Sequence, residues 1–252
     1  MIDYKDKIKE KYKKILFIHG WGFNHKIWEK FAKSYMPIEN CFFLNFYDYF
    51  EISGGDIQKS AAKVLNDYNN IDLIISWSLG CHLAKEIEIL DKKNSIKKVY
   101  VSYSPKFMKT KVWKYGFEKS TIQELKSNLE KNFLRTLKNF YLFILGDFKN
   151  KAEMYKEIIL HLNSMSEVEI KKLLIALDIL EKSEYINYEK GKDKDIENLY
   201  IYGDRDIITP PNIRSFLRTS EPLSRVKILS NSSHIPFVTN PEDFYKVLKS
   251  YI

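Results

Sequence analysis

With only two cysteines in 252 residues, Cys41 and Cys81, the chain has neither a disulfide framework nor a metal-type spacing, and a reducing cytoplasm is the expected compartment. No apolar run approaches the ~20 residues of a membrane span. The charged stretch Met1 to Lys14 is followed by an apolar run only from Ile15 to Ile18, which is not a signal peptide. Arginine is scarce: Arg135, Arg205, Arg214, Arg218 and Arg225 are the only five among 41 basic residues. The net charge of +8 is therefore carried by lysine, and no recognition motif accompanies it, so nucleic-acid binding is poorly supported. Internal repeats are absent. From Lys106 to about Lys194 there is no convincing strand either, and that gap divides the chain.

On both sides of the gap, short apolar runs alternate with helical periodicity. Lys14 to His19, Cys41 to Phe46, Ile71 to Trp77 and Val99 to Ser104 read as strands before it. Leu199 to Gly203 and Val226 to Leu229 read as strands after it. Helices of roughly 10 to 15 residues separate them, which implies βαβ units and a parallel sheet with helices on both faces. Asn240-Pro241 opens a last helix with a good cap and first-turn pair. The expected organisation is an α/β core at 1–105 and 195–252, with a helical insertion at 106–194. Thr121-x-x-Glu124 and Ser166-x-x-Glu169 are capping-box sequences within the insertion, and Glu189 to Asp195 is a polar candidate linker.

Chemistry concentrates where strands end. Ser78 lies between the apolar run ending at Trp77 and a helical pattern of Leu79, Leu83, Ala84 and Ile87. A serine on such a turn is held at the carboxyl edge of a sheet beside the first N–H groups of a helix, which suits a nucleophile that generates an oxyanion. The flanking small residues are Ser76 and Gly80, a serine replacing the first glycine of G-x-S-x-G. Cys81, just beyond, is either a reactive thiol or a small packing residue. Asp206 follows the strand ending at Gly203, and His234 follows the next strand, both on the edge that carries Ser78. The order Ser, Asp, His is that of one of the three well-known serine triads.

Four segments together, His19-Gly20-Trp21-Gly22, Ser76-Trp77-Ser78-Leu79-Gly80, Gly203-x-x-Asp206-x-x-x-Pro210 and Ser233-His234-x-Pro236-Phe237, resemble the α/β-hydrolase family. The HGWG and W-S-L-G forms are similar in particular to the biotin-pathway carboxylesterases that cleave pimeloyl-acyl-carrier-protein methyl ester, and Phe133-x-Arg135-Thr136-Leu137-x-x-Phe140 is similar to their lid. The resemblance implies a serine esterase needing no cofactor or metal, with Ser78 as nucleophile, His234 as base and Asp206 orienting it. Family spacing favours Asp206 over Asp204, which is left as a solvated turn residue. The backbone N–H groups of Trp21 and Leu79 would form the oxyanion hole, and His19 would shape that loop. Trp21, Trp77 and Phe140 are candidates for the acyl pocket, the alternative being ordinary core aromatics. His25, His82 and His161 have no matching role.

The insertion carries most of the charge. Between Lys106 and Lys156 there are twelve basic residues against five acidic ones. Lys131, Arg135 and Lys138 fall opposite the apolar face of Phe133, Leu137, Phe140 and Ile144, on what reads as one helix. An acidic acyl carrier protein, the partner that the resemblance implies, would be steered by such a stripe; the alternative is a merely solvated face. The expected protein is monomeric and binds neither membrane nor nucleic acid. Rival readings are a general short-chain carboxylesterase and a non-catalytic small-molecule receptor.

Overall fold

The computed structural model describes residues 4–147, 150–165, 169–186 and 197–252. The Ser166 capping box and the Glu189 to Asp195 stretch lie outside the described residues. Helix α1 (Tyr4–Lys11) leads into β1 (Ile15–Ile18), followed by a 3-10 turn at His25–Trp28, α2 (Glu29–Tyr35) and β2 (Cys41–Leu44). Then come α3 (Phe46–Ile52), α4 (Ile57–Asp67), β3 (Leu73–Trp77), α5 (Gly80–Leu90) and β4 (Lys97–Val101). Four helices, α6 (Lys119–Lys131), α7 (Phe133–Leu145), α8 (Lys151–Ile158) and α9 (Ile170–Lys182), separate β4 from β5 (Leu199–Gly203). The chain closes with α10 (Arg214–Ser220), β6 (Arg225–Leu229), α11 (Pro236–Thr239) and α12 (Pro241–Tyr251).

The six strands form one parallel sheet in the order β2-β1-β3-β4-β5-β6. Every residue of β1, β3 and β5 is buried, as a parallel sheet covered on both faces requires, whereas the edge strands β2 and β6 alternate. Strand order reverses between β1 and β3, so the loops leaving their carboxyl ends diverge and open a crevice there. His19 follows β1 and Ser78 follows β3. The topology thus brings together the two loops that the sequence marked as chemical.

Three local expectations are corrected. The run from Cys41 ends as a strand at Leu44, and Phe46, Tyr47 and Phe50 bury one face of α3 instead, an aromatic-rich helix whose composition mimics a strand. Helix α6 starts at Lys119 with Glu118 as its cap residue and no side-chain cap bond, so Thr121 is inside the helix. Lys131, Arg135 and Lys138 do not share a helix: Lys131 ends α6, Asn132 caps α7 by accepting the Arg135 N–H at 3.1 Å, and only Arg135 and Lys138 lie on α7.

Candidate active site

Ser78 sits between β3 and α5 with φ at +53°, a left-handed conformation rarely adopted by a side-chain-bearing residue. Close packing holds it there. A Cβ on Gly80 would fall 2.3 Å from the His19 carbonyl oxygen, and one on Gly20 would fall 3.1 Å from Cβ of Ser78. Both glycines are needed because the loop after β1 lies directly against the turn after β3. Ser76, in place of the expected first glycine, is wholly buried, and its hydroxyl donates to the Val99 carbonyl at 3.2 Å across the sheet. The Cys81 thiol is buried 3.5 Å from the Ser76 hydroxyl, and burial pushes it up to about 12, so it is a packing residue.

Ser78 Oγ is 2.9 Å from His234 Nε2, and His234 Nδ1 is 2.9 and 3.0 Å from the two oxygens of Asp206. Asp206 is buried, which pushes its carboxyl up. The His234 imidazole and the donors of Thr209 outweigh that, and the carboxyl lies below its ordinary value. The donors are the backbone N–H groups of Ile208 and Thr209, both at 2.9 Å, and the Thr209 hydroxyl at 2.6 Å. This carboxylate is therefore charged at neutral pH and accepts the Nδ1 proton, leaving Nε2 free to accept from the serine. Relative exposures of 7% for Ser78, 3% for Asp206 and 1% for His234 leave the serine as the member most open to the cavity.

The structure places Trp77 away from the pocket. Its ring is buried among Phe23, His234 and Phe237, and its Nε1–H donates to the His234 carbonyl at 2.8 Å. The Ser102 hydroxyl donates to the same oxygen at 3.0 Å. Two elements thus pin the backbone of His234, one from the end of β3 and one from just beyond β4. Asp204 is more than a solvated turn residue, since its carboxylate accepts the Ser232 N–H at 3.0 Å and anchors the loop that carries His234. Ser102 and Thr209 were missed in the sequence; the available signal was a hydroxyl residue just past a strand end and another inside the Asp206 turn.

Trp21 and Leu79 present backbone N–H groups that find no hydrogen-bond partner among the described residues. The buried His19 ring, stacked on Phe46 at 4.1 Å, places Nδ1 2.8 Å from the Gly20 carbonyl. A trans peptide points its carbonyl and N–H in opposite directions, so tethering the Gly20 oxygen to His19 aims the Trp21 N–H the other way. Burial lowers His19 to about 4, and it is neutral at pH 7.

Ser78 opens into a cavity of about 690 Å³, lined in part by the apolar side chains of Trp21, Phe107, Phe140, Leu177, Leu180 and Ile208. Helices α6 and α7 contribute both kinds of side chain to the wall, Ile122, Leu125 and Phe143 on the apolar side and Thr121, Glu124 and Asn128 on the polar side. Lys131 and Arg135 are in the wall too, both exposed and, among the described residues, without an ion pair; Lys138 is exposed but outside the lining. Many other lysines are paired, as Lys126 is with Asp178 and Glu181 and Lys172 with Asp48. Among the described residues no cluster of His, Cys, Asp and Glu could hold a metal, and no helix is long and apolar enough to cross a membrane.

An esterase from Exiguobacterium antarcticum, EaEST, superposes with a TM-score of 0.79 at 17% identity, covering 95% of this chain and 91% of that one. A bromoperoxidase from Bacillus anthracis superposes at 0.75 with 18% identity, covering 95% and 91%. The fold is that of the α/β-hydrolases. No family model matches it. Over 250 residues, 94% of this chain and 93% of the relative, it is 30% identical to the pimeloyl-[acyl-carrier protein] methyl ester esterase of Wigglesworthia glossinidia brevipalpis. The same-named protein of Pseudoalteromonas atlantica is 25% identical over 239 residues, covering 91% and 90%. The chain is therefore a carboxylic ester hydrolase, and it belongs to the family of pimeloyl-[acyl-carrier protein] methyl ester esterases.

Proposed function

We propose that the protein hydrolyses the methyl ester of a pimeloyl group carried on acyl carrier protein, a step of biotin synthesis, through a Ser78–His234–Asp206 triad and an acyl-enzyme. His234 Nε2 takes the Ser78 proton as Oγ attacks the ester carbonyl, and Asp206 holds the Nδ1 tautomer and stabilises the imidazolium. The N–H groups of Trp21 and Leu79 stabilise the tetrahedral oxyanion, each worth about 10²-fold or more. Collapse of the tetrahedron expels methoxide, which takes the proton from His234. Water, deprotonated by His234, then attacks the acyl-serine and frees the carboxylate with Ser78 restored.

The observation that carries the substrate reading is the mixed composition of the cavity wall. Apolar side chains in the cavity that holds Ser78 suit an acyl chain, and the exposed Lys131 and Arg135 in the same wall, without an ion pair among the described residues, suit an acidic carrier. Residues 106–194 serve in this reading as a lid whose outer face, Lys138 included, docks the carrier. The acyl carrier protein in the relatives' names agrees with that chemistry.

The test is incubation with pimeloyl-acyl-carrier-protein methyl ester beside a free methyl ester of the same acyl group, with mass spectrometry of the carrier. Preferential release of the carrier-bound carboxylate, absent with Ser78→Ala, supports the proposal. Equal turnover of both esters makes the protein a general short-chain carboxylesterase, and turnover of neither removes the assignment of substrate.

A further inference from the structure

The loop that carries the Trp21 N–H is gripped from the helical insertion as well as from the sheet. On one side, the Gly22 N–H donates to the Tyr47 hydroxyl of α3 at 2.8 Å. On the other, the Gly22 carbonyl accepts from the Tyr141 hydroxyl of α7 at 2.6 Å. Both peptide groups flanking Gly22 are thereby fixed, and the first of them begins at the carbonyl of Trp21. The Trp21 side chain is held as well: its Nε1–H donates to the Leu173 carbonyl of α9 at 3.0 Å, and the Phe140 ring meets it edge-on at 4.8 Å. A Cβ on Gly22 would lie 3.0 Å from Phe140, so α7 also bears on the backbone there.

Tyr141 has little freedom to do anything else. Its ring is fully buried and stacked on Phe23 at 4.2 Å and 15°. Burial raises its phenol above the ordinary tyrosine value, so the hydroxyl stays protonated and remains a donor. It is not among the residues that line the cavity.

We infer that Tyr141 is a positioning residue for ester hydrolysis: its hydroxyl, carried on α7, fixes the Gly22 carbonyl and so holds the Trp21 N–H where the oxyanion forms. The inference rests on the reading of Ser78 as nucleophile and Trp21 N–H as oxyanion donor. Helices α7 and α9 then belong to the catalytic frame as well as to the cavity roof. A group acting this way affects the transition state and not the ground state.

The experiment compares Tyr141→Phe and Tyr47→Phe with the wild-type chain on a free p-nitrophenyl ester. Tyr251→Phe, which removes a buried hydroxyl bonded to Glu197 and Lys98 backbone at the opposite end of the sheet, is the structural control. Expected for Tyr141→Phe is a kcat lowered about 10- to 100-fold with KM within about twofold, below the full loss of a donor because the N–H is displaced and not deleted. Affinity for a phenylboronic acid, which forms a tetrahedral adduct on a reactive serine, should fall by the same factor, while affinity for the free acid product is unchanged. Tyr47→Phe reports on the same glycine from its other side, and should lower kcat and boronate affinity together even if Tyr141→Phe does not fold. A lowered melting temperature with wild-type kcat and boronate affinity, as expected for Tyr251→Phe, overturns the inference if seen for both clamp variants. Activity retained by Ser78→Ala overturns the reading beneath it instead, so the two failures are distinguishable.

Discussion

Reversing the two rim charges, Lys131→Glu with Arg135→Glu, separates a docking role from a solvated helix face. Both side chains are exposed and without an ion pair among the described residues, so no internal partner is lost and the fold should be unaffected. An exposed pair between one such cation and a carrier carboxylate is worth about 0.2–1 kcal/mol, and reversal turns that attraction into a repulsion of similar size. Two reversals therefore amount to about 0.8–4 kcal/mol, or a rise of about 4- to 700-fold in KM for the carrier-bound ester at low ionic strength. The effect should largely disappear near 0.5 M salt, where the screening length is only about 4 Å. Turnover of the free methyl ester should stay within about twofold, because the apolar side chains of the wall and the Ser78 centre are untouched. Steady-state rates for both esters across a salt series measure all of this, and Lys138→Glu, outside the cavity wall, should give a smaller shift. An equal loss on both esters, or a loss indifferent to salt, refutes electrostatic docking.

Asp206→Asn should lower kcat about 10³- to 10⁴-fold with little change in KM, since an amide can stabilise the wrong imidazole tautomer; a loss below tenfold would argue against the triad. At Ser78 the φ of +53° predicts that Ser78→Gly is more stable than Ser78→Ala by about 1 kcal/mol in urea unfolding, because glycine relieves the left-handed strain; equal midpoints would contradict that. Stability should also fall in mild acid. His19 and His82 are wholly buried and lowered from 6.5 to about 4, so between those values only the unfolded chain binds the two protons and stability is lost as pH drops. At pH 5 each histidine should account for about 2 kcal/mol relative to pH 7. His82→Gln, which keeps a donor for the Ser104 carbonyl, should remove about half of that loss, and an unchanged pH slope would refute the assignment.

What was legible in the sequence came from patterns that the chain satisfies locally. Buried strands announce themselves as apolar runs, and those runs match β1, β3 and β5 to within a residue or two at each end. Ser78, Asp206 and His234 were legible because each follows such a strand, and a parallel sheet brings every carboxyl end to one edge. Contacts between distant segments were not legible. Nothing local tells that the Trp77 indole turns away from the cavity to hold the His234 carbonyl, or that Tyr141 reaches Gly22 across more than a hundred residues of chain. The break at Asn132 was missed for a different reason: helical periodicity passes through it, and a helix can stop and restart nearly in phase.

Strands β4 and β5 pair side by side although the whole helical insertion lies between them in the chain. The entropy of closing a loop grows only logarithmically, about 0.6 kcal/mol for each doubling of its length, so a longer or shorter insertion would cost the sheet little at equilibrium. The consequence is kinetic. Strands β1 to β4 can associate early through connections of modest length, whereas β5, β6 and the loops bearing Asp206 and His234 must wait for a contact roughly a hundred residues distant. Assembly of the catalytic centre should therefore be among the last events of folding, and recovery of esterase activity after dilution from urea should lag behind recovery of helical circular dichroism.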